Sequence, residues 1–205
     1  MGLAKLPAPF LLITDRQQAR RPLVEVIEAA MTGGCLWVSL REKDLAPTQR
    51  LALVHEVLPI VHRFGGTLLV HADIEAAKHA DGVHLPTGAN VAEARAHLGE
   101  KAIIGLSCHT LEDVTNAGGA DYVTLGPFAP TESKPGYTPT LKMAAIGEAA
   151  RFGVPVLALG GVDETNVGAI RRAGAAGFAV MGSVMRNEKP GDLIQRMLKA
   201  WEMDR

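Results

Sequence analysis

A short charged segment, Arg41-Glu42-Lys43-Asp44, is the first place in this sequence where residue types and spacing could do chemistry. We expect the segment to be extended, and side chains two positions apart in an extended chain lie on the same side. Arg41 and Lys43 could therefore hold a diphosphate together, because both cations donate charge-assisted hydrogen bonds to phosphate oxygens. A solvated run of surface charge is the alternative interpretation.

Two glycine-containing turns, Gly160-Gly161 and Gly182-Ser183, have the composition of a phosphate site. Each ends a short apolar run, "VLALG" and "FAVMG" respectively. Glycine lets backbone N–H groups approach an anion closely, and the start of a following helix adds a favourable partial charge. Glycines that merely end two strands are the alternative, so the prediction requires the two turns to be neighbours in space.

Three histidines, His71, His84 and His109, lie at or just after the ends of apolar runs. Histidines from separate strands can converge on a metal ion, but the chain has no H-x-H or H-x-x-x-H spacing among them. Hydrogen bonding at the strand ends is the role we expect. The sequence also lacks G-x-S-x-G, which argues against a hydrolase with a nucleophile elbow.

Eight short apolar runs alternate with amphipathic segments along the chain. Strands are predicted at 10–14, 36–40, 67–71, 82–85, 102–107, 122–126, 156–160 and 178–182. Helices are predicted at 22–32, 48–63, 73–79, 90–98, 110–118, 140–152, 163–173 and 191–202, with Asp163 as the N-cap of its helix. Most of the strands are continuous apolar runs, which is typical of strands buried on both faces of a parallel sheet.

This alternation predicts an α/β fold, a single-domain (β/α)8 TIM barrel over residues 1–205. A doubly wound open sheet is the alternative, but the first turn between strand and helix has no G-x-G-x-x-G. Active groups of a barrel gather at the carboxyl ends of its strands. That rule selects all the patterns described above, and it adds Ser107 at the end of the fifth strand.

Composition limits the partners that this protein can have. The 205 residues are 47% hydrophobic and carry a net charge of −1, which leaves no general basic surface for nucleic acid or membranes. We expect small-molecule phosphate substrates, a homodimer and a cytoplasmic location, since no apolar run has the length of a membrane span and no signal peptide is evident. Cys35 and Cys108 are expected to be buried, reduced thiols.

Several longer segments occur in the order of one known family. They are "LLITD", "SLREKDL", "ADGVHL", "IGLSCHTLEDV", "ADYVTLGPFAPTESKPG", "VPVLALGGV" and "AGAAGFAVMGSV". On these segments the chain resembles the thiamine phosphate synthase and thiazole tautomerase family over essentially its whole length. The resemblance implies a barrel enzyme of thiamine biosynthesis, a transferase that joins hydroxymethylpyrimidine diphosphate to a thiazole phosphate and releases diphosphate, with Mg²⁺ as cofactor.

The resemblance also implies which residues bind the phosphate groups. The positions that match the family's pyrimidine and diphosphate site are Arg41, Lys43, Ser107 and Lys134. Those that match its thiazole phosphate site are Thr131, Ser133, Gly161 and the turn 182–183, beside which we place Gly160. The loop 125–137, rich in proline, would then be a lid over the barrel mouth.

The chain departs from the synthase pattern at some of these positions. Ser39, which we keep in the predicted substrate site, stands where the synthase usually has Gln. His71-Ala72 stands where it has Asn-Asp, whose Asp is a Mg²⁺ ligand, and "LPTGAN" replaces the segment that holds a second one. Asp73, one place later, is the predicted substitute ligand, and capping of the next helix is its alternative role.

These departures leave two alternative functions open. Relatives of the tautomerase branch also lack the metal ligands, and an isomerase acting on a thiazole carboxylate phosphate would need a proton-transferring group. The catalytic His of that branch matches Pro127 here, so the role would fall to His71, His84 or His109. A non-catalytic protein that binds a phosphate ligand is the second alternative.

Overall fold

The computed structural model describes residues 6–128 and 141–203. Eight parallel strands form a closed barrel in which each strand pairs with the next in sequence and β8 pairs with β1. The strands are β1 (Phe10–Ile13), β2 (Trp37–Leu40), β3 (Thr67–His71), β4 (Gly82–Leu85), β5 (Ile103–Cys108), β6 (Tyr122–Leu125), β7 (Val156–Leu159) and β8 (Gly177–Val180). The predicted (β/α)8 barrel is confirmed.

Helices connect the strands on the outside of the barrel. They are α1 (Leu23–Thr32), α2 (Pro47–Arg63), α3 (Ile74–Ala77), α4 (Val91–Leu98), α5 (Leu111–Thr115), α6 (Ala144–Ala150), α7 (Val167–Arg172), α8 (Gly182–Met185) and α9 (Pro190–Met203), with a 3-10 turn at Arg16–Gln18. The predicted helix at 140–152 begins outside the described residues. The four residues of α8 were not predicted, because they are too few to show a helical period.

The predicted start of α7 is wrong. Asp163 does not cap this helix, which begins at Val167. Its Oδ1 instead accepts hydrogen bonds from the backbone N–H groups of Thr165, at 2.8 Å, and Asn166, at 3.2 Å. The carboxylate therefore holds a separate turn between the end of β7 and the helix, a use of Asp that sequence alone does not distinguish from helix capping.

The strands bury both faces, which explains their continuous apolar runs. Outward-facing residues such as Leu12, Val38 and Val70 pack against the helices in the larger core. Inward-facing side chains fill the barrel as a second cluster made of Leu11, Ile13, Trp37, Leu69, Tyr122, Leu157 and Ala179. This inner cluster closes the middle of the barrel, so a ligand can enter only at an end of it.

Two predictions made from composition concern the cysteines and membrane spans. Cys35 and Cys108 are buried free thiols, as predicted, and burial raises the pKa of each to about 12. Both thiols therefore stay protonated and unreactive at neutral pH. Among the helices of the described ranges, none is both long enough and apolar enough to cross a membrane.

Candidate active site

A cavity of about 850 Å³ opens at the carboxyl ends of the strands. Ile13, Leu159 and Ala179 give it apolar walls continuous with the inner core cluster. Its polar lining comes from residues at the ends of strands β2 to β8. They include Arg41, Lys43, His71, His84, Thr87, Ser107, His109, Thr124, Gly160, Gly161, Gly182, Ser183 and Arg186. Patterns that lie far apart in the sequence therefore share one cavity.

The charged side chains of the segment after β2 lie on two different sides of the chain. Arg41 and Lys43 line the cavity, whereas Glu42 is buried. Glu42 Oε1 accepts a hydrogen bond from Thr14 Oγ1 at 2.7 Å, and Glu42 Oε2 accepts one from the backbone N–H of Arg16 at 3.0 Å. Burial raises the pKa of Glu42, and these donors oppose that rise. Glu42 thus anchors the segment to the chain that follows β1, with one cation on either side of the anchor.

The two glycine turns are neighbours, because β7 pairs with β8. Gly160 and Gly161 have φ angles of 91° and 68°, in the left-handed region that glycine adopts without strain. Gly182 and Ser183 are the first residues of α8, which is separated from the end of β8 by Met181 alone. We call these four residues the glycine corner. All four line the cavity, so the spatial condition on which the predicted phosphate site depended is met.

Two arginines lie beside the glycine corner. Arg41 Nη1 is 3.8 Å from the Sδ of Met181, the residue that precedes Gly182. Arg186, the C-cap of α8, lines the same cavity and donates a hydrogen bond to the side-chain oxygen of Gln18. Arg186 was not predicted as a site residue. Its position one helical turn after the glycine corner could have indicated it, but the helix that provides this spacing was itself not predicted.

His84 is the centre of a buried polar chain. Its Nδ1 lies 2.8 Å from the Oη of Tyr122, and its Nε2 lies 2.9 Å from Ser107 Oγ and 3.4 Å from Thr124 Oγ1. Burial lowers the pKa of His84 to about 4, so its imidazole is neutral at neutral pH. His84 and Ser107 were predicted from the sequence, whereas Tyr122 and Thr124 were not, since both belong to an ordinary strand run. Their alternate spacing along β6 was the signal that places them on one face.

The other two histidines lie outside this chain of hydrogen bonds and have different contacts. The His71 ring stacks on that of His84, with ring centroids 5.6 Å apart, and burial together with the positive charges nearby lowers the pKa of His71 to about 3. His109 Nδ1 lies 2.8 Å from the carbonyl oxygen of Gly126, so Nδ1 carries the proton and donates it. Within the described ranges, no group of three or more His, Cys, Asp or Glu side chains could hold a metal ion.

The remaining predicted binding residues are one that is buried away from the cavity and three that lie outside the described residues. Ser39, in β2, is fully buried, and its Oγ has no hydrogen-bond partner in the described part of the chain. Its contact with a substrate stays a prediction, and its burial does not support that prediction. Thr131, Ser133 and Lys134 lie outside the described residues, so their predicted phosphate contacts stay predictions.

Asp73, the predicted Mg²⁺ ligand, is engaged elsewhere. Its Oδ1 accepts a hydrogen bond from the backbone N–H of Ala76 at 3.0 Å as the N-cap of α3, and its Oδ2 pairs with Arg50. Among the described residues the cavity lining has one carboxylate, that of Asp163, which holds its own turn. Mg²⁺ favours oxygen ligands that include one or two carboxylates. The described residues therefore do not fit Mg²⁺ held by the protein, and the contacts of Asp73 match the alternative capping role.

His71 and His84 offer little to an isomerase. A general base needs an accessible lone pair and a pKa near the working pH. Nδ1 of His84 lies within hydrogen-bonding distance of the Tyr122 hydroxyl and Nε2 within that of the Ser107 hydroxyl, and the lowered pKa of His71 makes it a weak base. Pro127, at the position of the tautomerase histidine, lines the cavity but cannot transfer a proton.

Solved structures share this fold. A thiamine phosphate pyrophosphorylase from Pyrococcus furiosus superposes with a TM-score of 0.84 at 24% identity, over 95% of this chain and 95% of that one. A thiamine phosphate pyrophosphorylase from Bacteroides thetaiotaomicron gives a TM-score of 0.67 at 20% identity, over 97% of this chain and all of the other. At these identities the likeness establishes the barrel fold alone.

Sequence relatives are closer than these structures. A Geobacter sulfurreducens protein named provisionally as a thiamine-phosphate synthase is 38% identical over 203 residues, which cover 96% of this chain and 95% of the relative. A thiamine-phosphate synthase of Roseiflexus sp. (strain RS-1) is 36% identical over 198 residues, 90% of this chain and 84% of the relative. The model of the family described as thiamine monophosphate synthase matches residues 10–184. The chain therefore belongs to the thiamine monophosphate synthase family.

Proposed function

We propose that this protein is a thiamine phosphate synthase, which joins hydroxymethylpyrimidine diphosphate to a thiazole phosphate and releases diphosphate. One observation carries the proposal: Arg41 and Lys43 share a single cavity with the glycine corner. A reaction between two phosphorylated substrates needs two anion sites close together, and this cavity offers one of cationic side chains and one of glycine backbone. Relatives that are 33 to 38% identical carry the name of this activity.

The charges in the cavity suit the departure of diphosphate. The bond between the pyrimidine methylene carbon and the diphosphate oxygen breaks, the oxygen keeps the electron pair, and the thiazole nitrogen supplies the pair for the new C–N bond. Arg41, Lys43 and the hydroxyl of Ser107 would stabilise the charge that develops on the leaving group. No proton needs to be removed in this step, which agrees with a neutral, hydrogen-bonded His84 in place of a general base.

The apolar walls of the cavity suit the positive charge that develops on the pyrimidine, because they exclude water. In the dissociative reaction that the family resemblance implies, the pyrimidine carries positive charge before the thiazole nitrogen captures it. Water would capture the same carbon and destroy the substrate. Ile13, Leu159 and Ala179 line the cavity with groups that do not bind water, so they favour the correct nucleophile.

Several parts of this proposal come from the resemblance. The thiazole phosphate would bind at the glycine corner together with Thr131 and Ser133, and Lys134 would add a third cation at the diphosphate. We also propose a homodimer and a cytoplasmic location. Mg²⁺ stays a prediction to which the described residues offer no carboxylate site, so assays with and without the metal are required.

The purified protein should form thiamine phosphate and diphosphate from the two substrates. We expect Arg41→Ala to lower kcat about 100-fold or more, because an interaction with the developing charge is lost. Arg63→Ala is the matched control, since Arg63 is an exposed arginine of α2 that pairs with Glu28. It should leave the rate unchanged. No product from wild-type protein with either metal condition would refute the proposal, and conversion of the thiazole tautomer without any pyrimidine would support the isomerase instead.

A further inference from the structure

Tyr122 reaches His84 across an intervening strand. The three residues His84, Gly105 and Tyr122 lie side by side on β4, β5 and β6, because His84 pairs with Gly105 and Gly105 pairs with Tyr122. A Cβ atom at Gly105 would lie 2.2 Å from Cζ of Tyr122 and 2.4 Å from its Oη, too close for any real contact. The missing side chain at Gly105 therefore leaves the space through which the phenol crosses to the imidazole.

The phenol of Tyr122 must be a hydrogen-bond donor. Tyr122 is fully buried, and burial raises its pKa well above the ordinary value, so the phenol keeps its proton. In the described part of the chain its hydrogen-bond partner is Nδ1 of His84, at 2.8 Å. A buried O–H without an acceptor is costly, and buried polar groups are nearly always paired. The phenol thus donates to Nδ1, which accepts with its lone pair.

The position of this hydrogen fixes the rest of the chain of hydrogen bonds. A neutral imidazole has one N–H, so a lone pair on Nδ1 places the proton on Nε2. Nε2 then donates to the Oγ of Ser107 at 2.9 Å. The hydroxyl hydrogen of Ser107 has to point away from His84, and Ser107 lines the cavity.

We propose that Tyr122 is a positioning residue that fixes the Nε2–H tautomer of His84 and thereby makes Ser107 a hydrogen-bond donor to an anion in the cavity. The hydrogen bonds run in one direction, from Tyr122 through His84 and Ser107 to the anion, and each donor polarises the next. The opposite direction, in which Ser107 gives its proton to His84 and becomes a nucleophile, would leave the phenol without an acceptor. The inference rests on the proposed function only for the identity of the anion, a diphosphate.

The tautomer of His84 can be measured directly. Two-dimensional ¹H–¹⁵N NMR spectra of protein labelled with ¹⁵N-histidine distinguish the Nε2–H form from the Nδ1–H form by their cross-peak patterns. His84→Gln identifies the signals of His84 among those of the seven histidines. We expect the Nε2–H pattern in the wild-type protein at neutral pH. An Nδ1–H pattern would overturn the inference whether or not the protein makes thiamine phosphate.

The effect on Ser107 can be measured as the affinity for inorganic diphosphate, by isothermal titration calorimetry. Tyr122→Phe should weaken binding about three- to tenfold, the usual effect of losing one hydrogen bond, and should give a mixture of His84 tautomers. Ser107→Ala should weaken binding at least as much, and Tyr122→Phe should add nothing to it. Fully additive losses in the double variant would show that Tyr122 does not act through Ser107.

Trp37→Phe is the matched control for packing. The Trp37 ring contacts the Tyr122 ring in the inner core, with centroids 4.6 Å apart, but it has no place in the hydrogen-bond chain. This variant should keep both the tautomer and the diphosphate affinity. A Tyr122→Phe protein that does not fold leaves the wild-type spectrum as the deciding measurement. A wild type that binds diphosphate and has the Nε2–H tautomer but makes no product would contradict the proposed function and not this inference.

Discussion

Replacement of Asp73 tests whether this carboxylate serves stability or metal binding. In the structure Asp73 caps α3 and pairs with Arg50, and their side chains are only 12% and 16% exposed. Loss of an N-cap costs about 1 kcal/mol. Breaking a buried ion pair costs about 3–5 kcal/mol. Here the loss should be smaller, about 1–2 kcal/mol, because Arg50 is partly exposed and keeps a hydrogen bond to the carbonyl oxygen of Leu45 at 2.8 Å.

We therefore expect Asp73→Ala to lower the free energy of unfolding by about 2–3 kcal/mol. In a chain of this size that corresponds to a fall in Tm of roughly 4–12 °C. Asp73→Asn is the matched control, since Asn caps helices as well as Asp does, and it should lose only the part of the stability that the ion pair supplies. Both quantities can be measured by urea unfolding and by calorimetry.

The same variants should leave catalysis intact. Well below their Tm, both should keep the wild-type kcat and the wild-type dependence of the rate on Mg²⁺ concentration. The reasoning is refuted if Asp73→Ala unfolds within about 1 °C of the wild type, less than 1 kcal/mol for a chain of this size, and needs much more Mg²⁺. That pair of results would make Asp73 a metal ligand and require its ion pair with Arg50 to open when substrate binds.

Three further predictions concern the cavity and its support. The free energy of unfolding should fall as pH drops from 6.5 towards 4, by about 1.4 kcal/mol per pH unit for each of His84 and His71, because the unfolded chain binds protons in this range and the buried imidazoles do not. In urea titrations, His84→Gln should make the dependence of this free energy on pH less steep. An unchanged slope would contradict the buried neutral state of His84. Because burial raises the pKa of Glu42, the stability of the wild type relative to Glu42→Gln should decline as pH rises above about 4.5. A wild type that gains stability relative to the variant as pH rises, in the same titrations, would refute this. Arg186→Ala should raise KM for the thiazole phosphate about tenfold with little change in kcat, because it removes a cation beside the glycine corner; an effect on kcat alone would place Arg186 at the leaving diphosphate.

Much of the fold was predictable because its signal is local. Continuous apolar runs bounded by polar turns identified every strand within one or two residues, since strands buried on both faces must be apolar at every position. The strand ends then located Arg41, His84 and Ser107 without any knowledge of their contacts. The four-residue helix α8 and its Arg186 were missed, because the short segment between β8 and the long last helix shows no helical period of its own.

Sequence alone does not decide the role of a residue whose chemistry serves more than one purpose. Asp163 and Asp73 both precede helices, and a carboxylate in that position can cap the helix, hold a turn, pair with an arginine or bind a metal. Asp163 was predicted to cap its helix, and the structure has a separate turn there. For Asp73 the sequence left metal binding and helix capping open, and the structure shows the cap together with an ion pair, while metal binding stays a prediction. The choice depends on what approaches from distant parts of the chain.

The sequence by itself determined the alternation of strands and helices, and with it the end of the barrel where polar residues gather. It did so because burial imposes a pattern of apolar residues on each strand and helix, and that pattern can be read within the segment alone. Only the tertiary structure decided which groups touch. Closure of the barrel sets the register of β4, β5 and β6, and the bare backbone of Gly105 then lets Tyr122 reach His84. A contact between two residues 38 positions apart follows from strand pairing and from the absence of one side chain, and neither is visible in the segment that contains either partner.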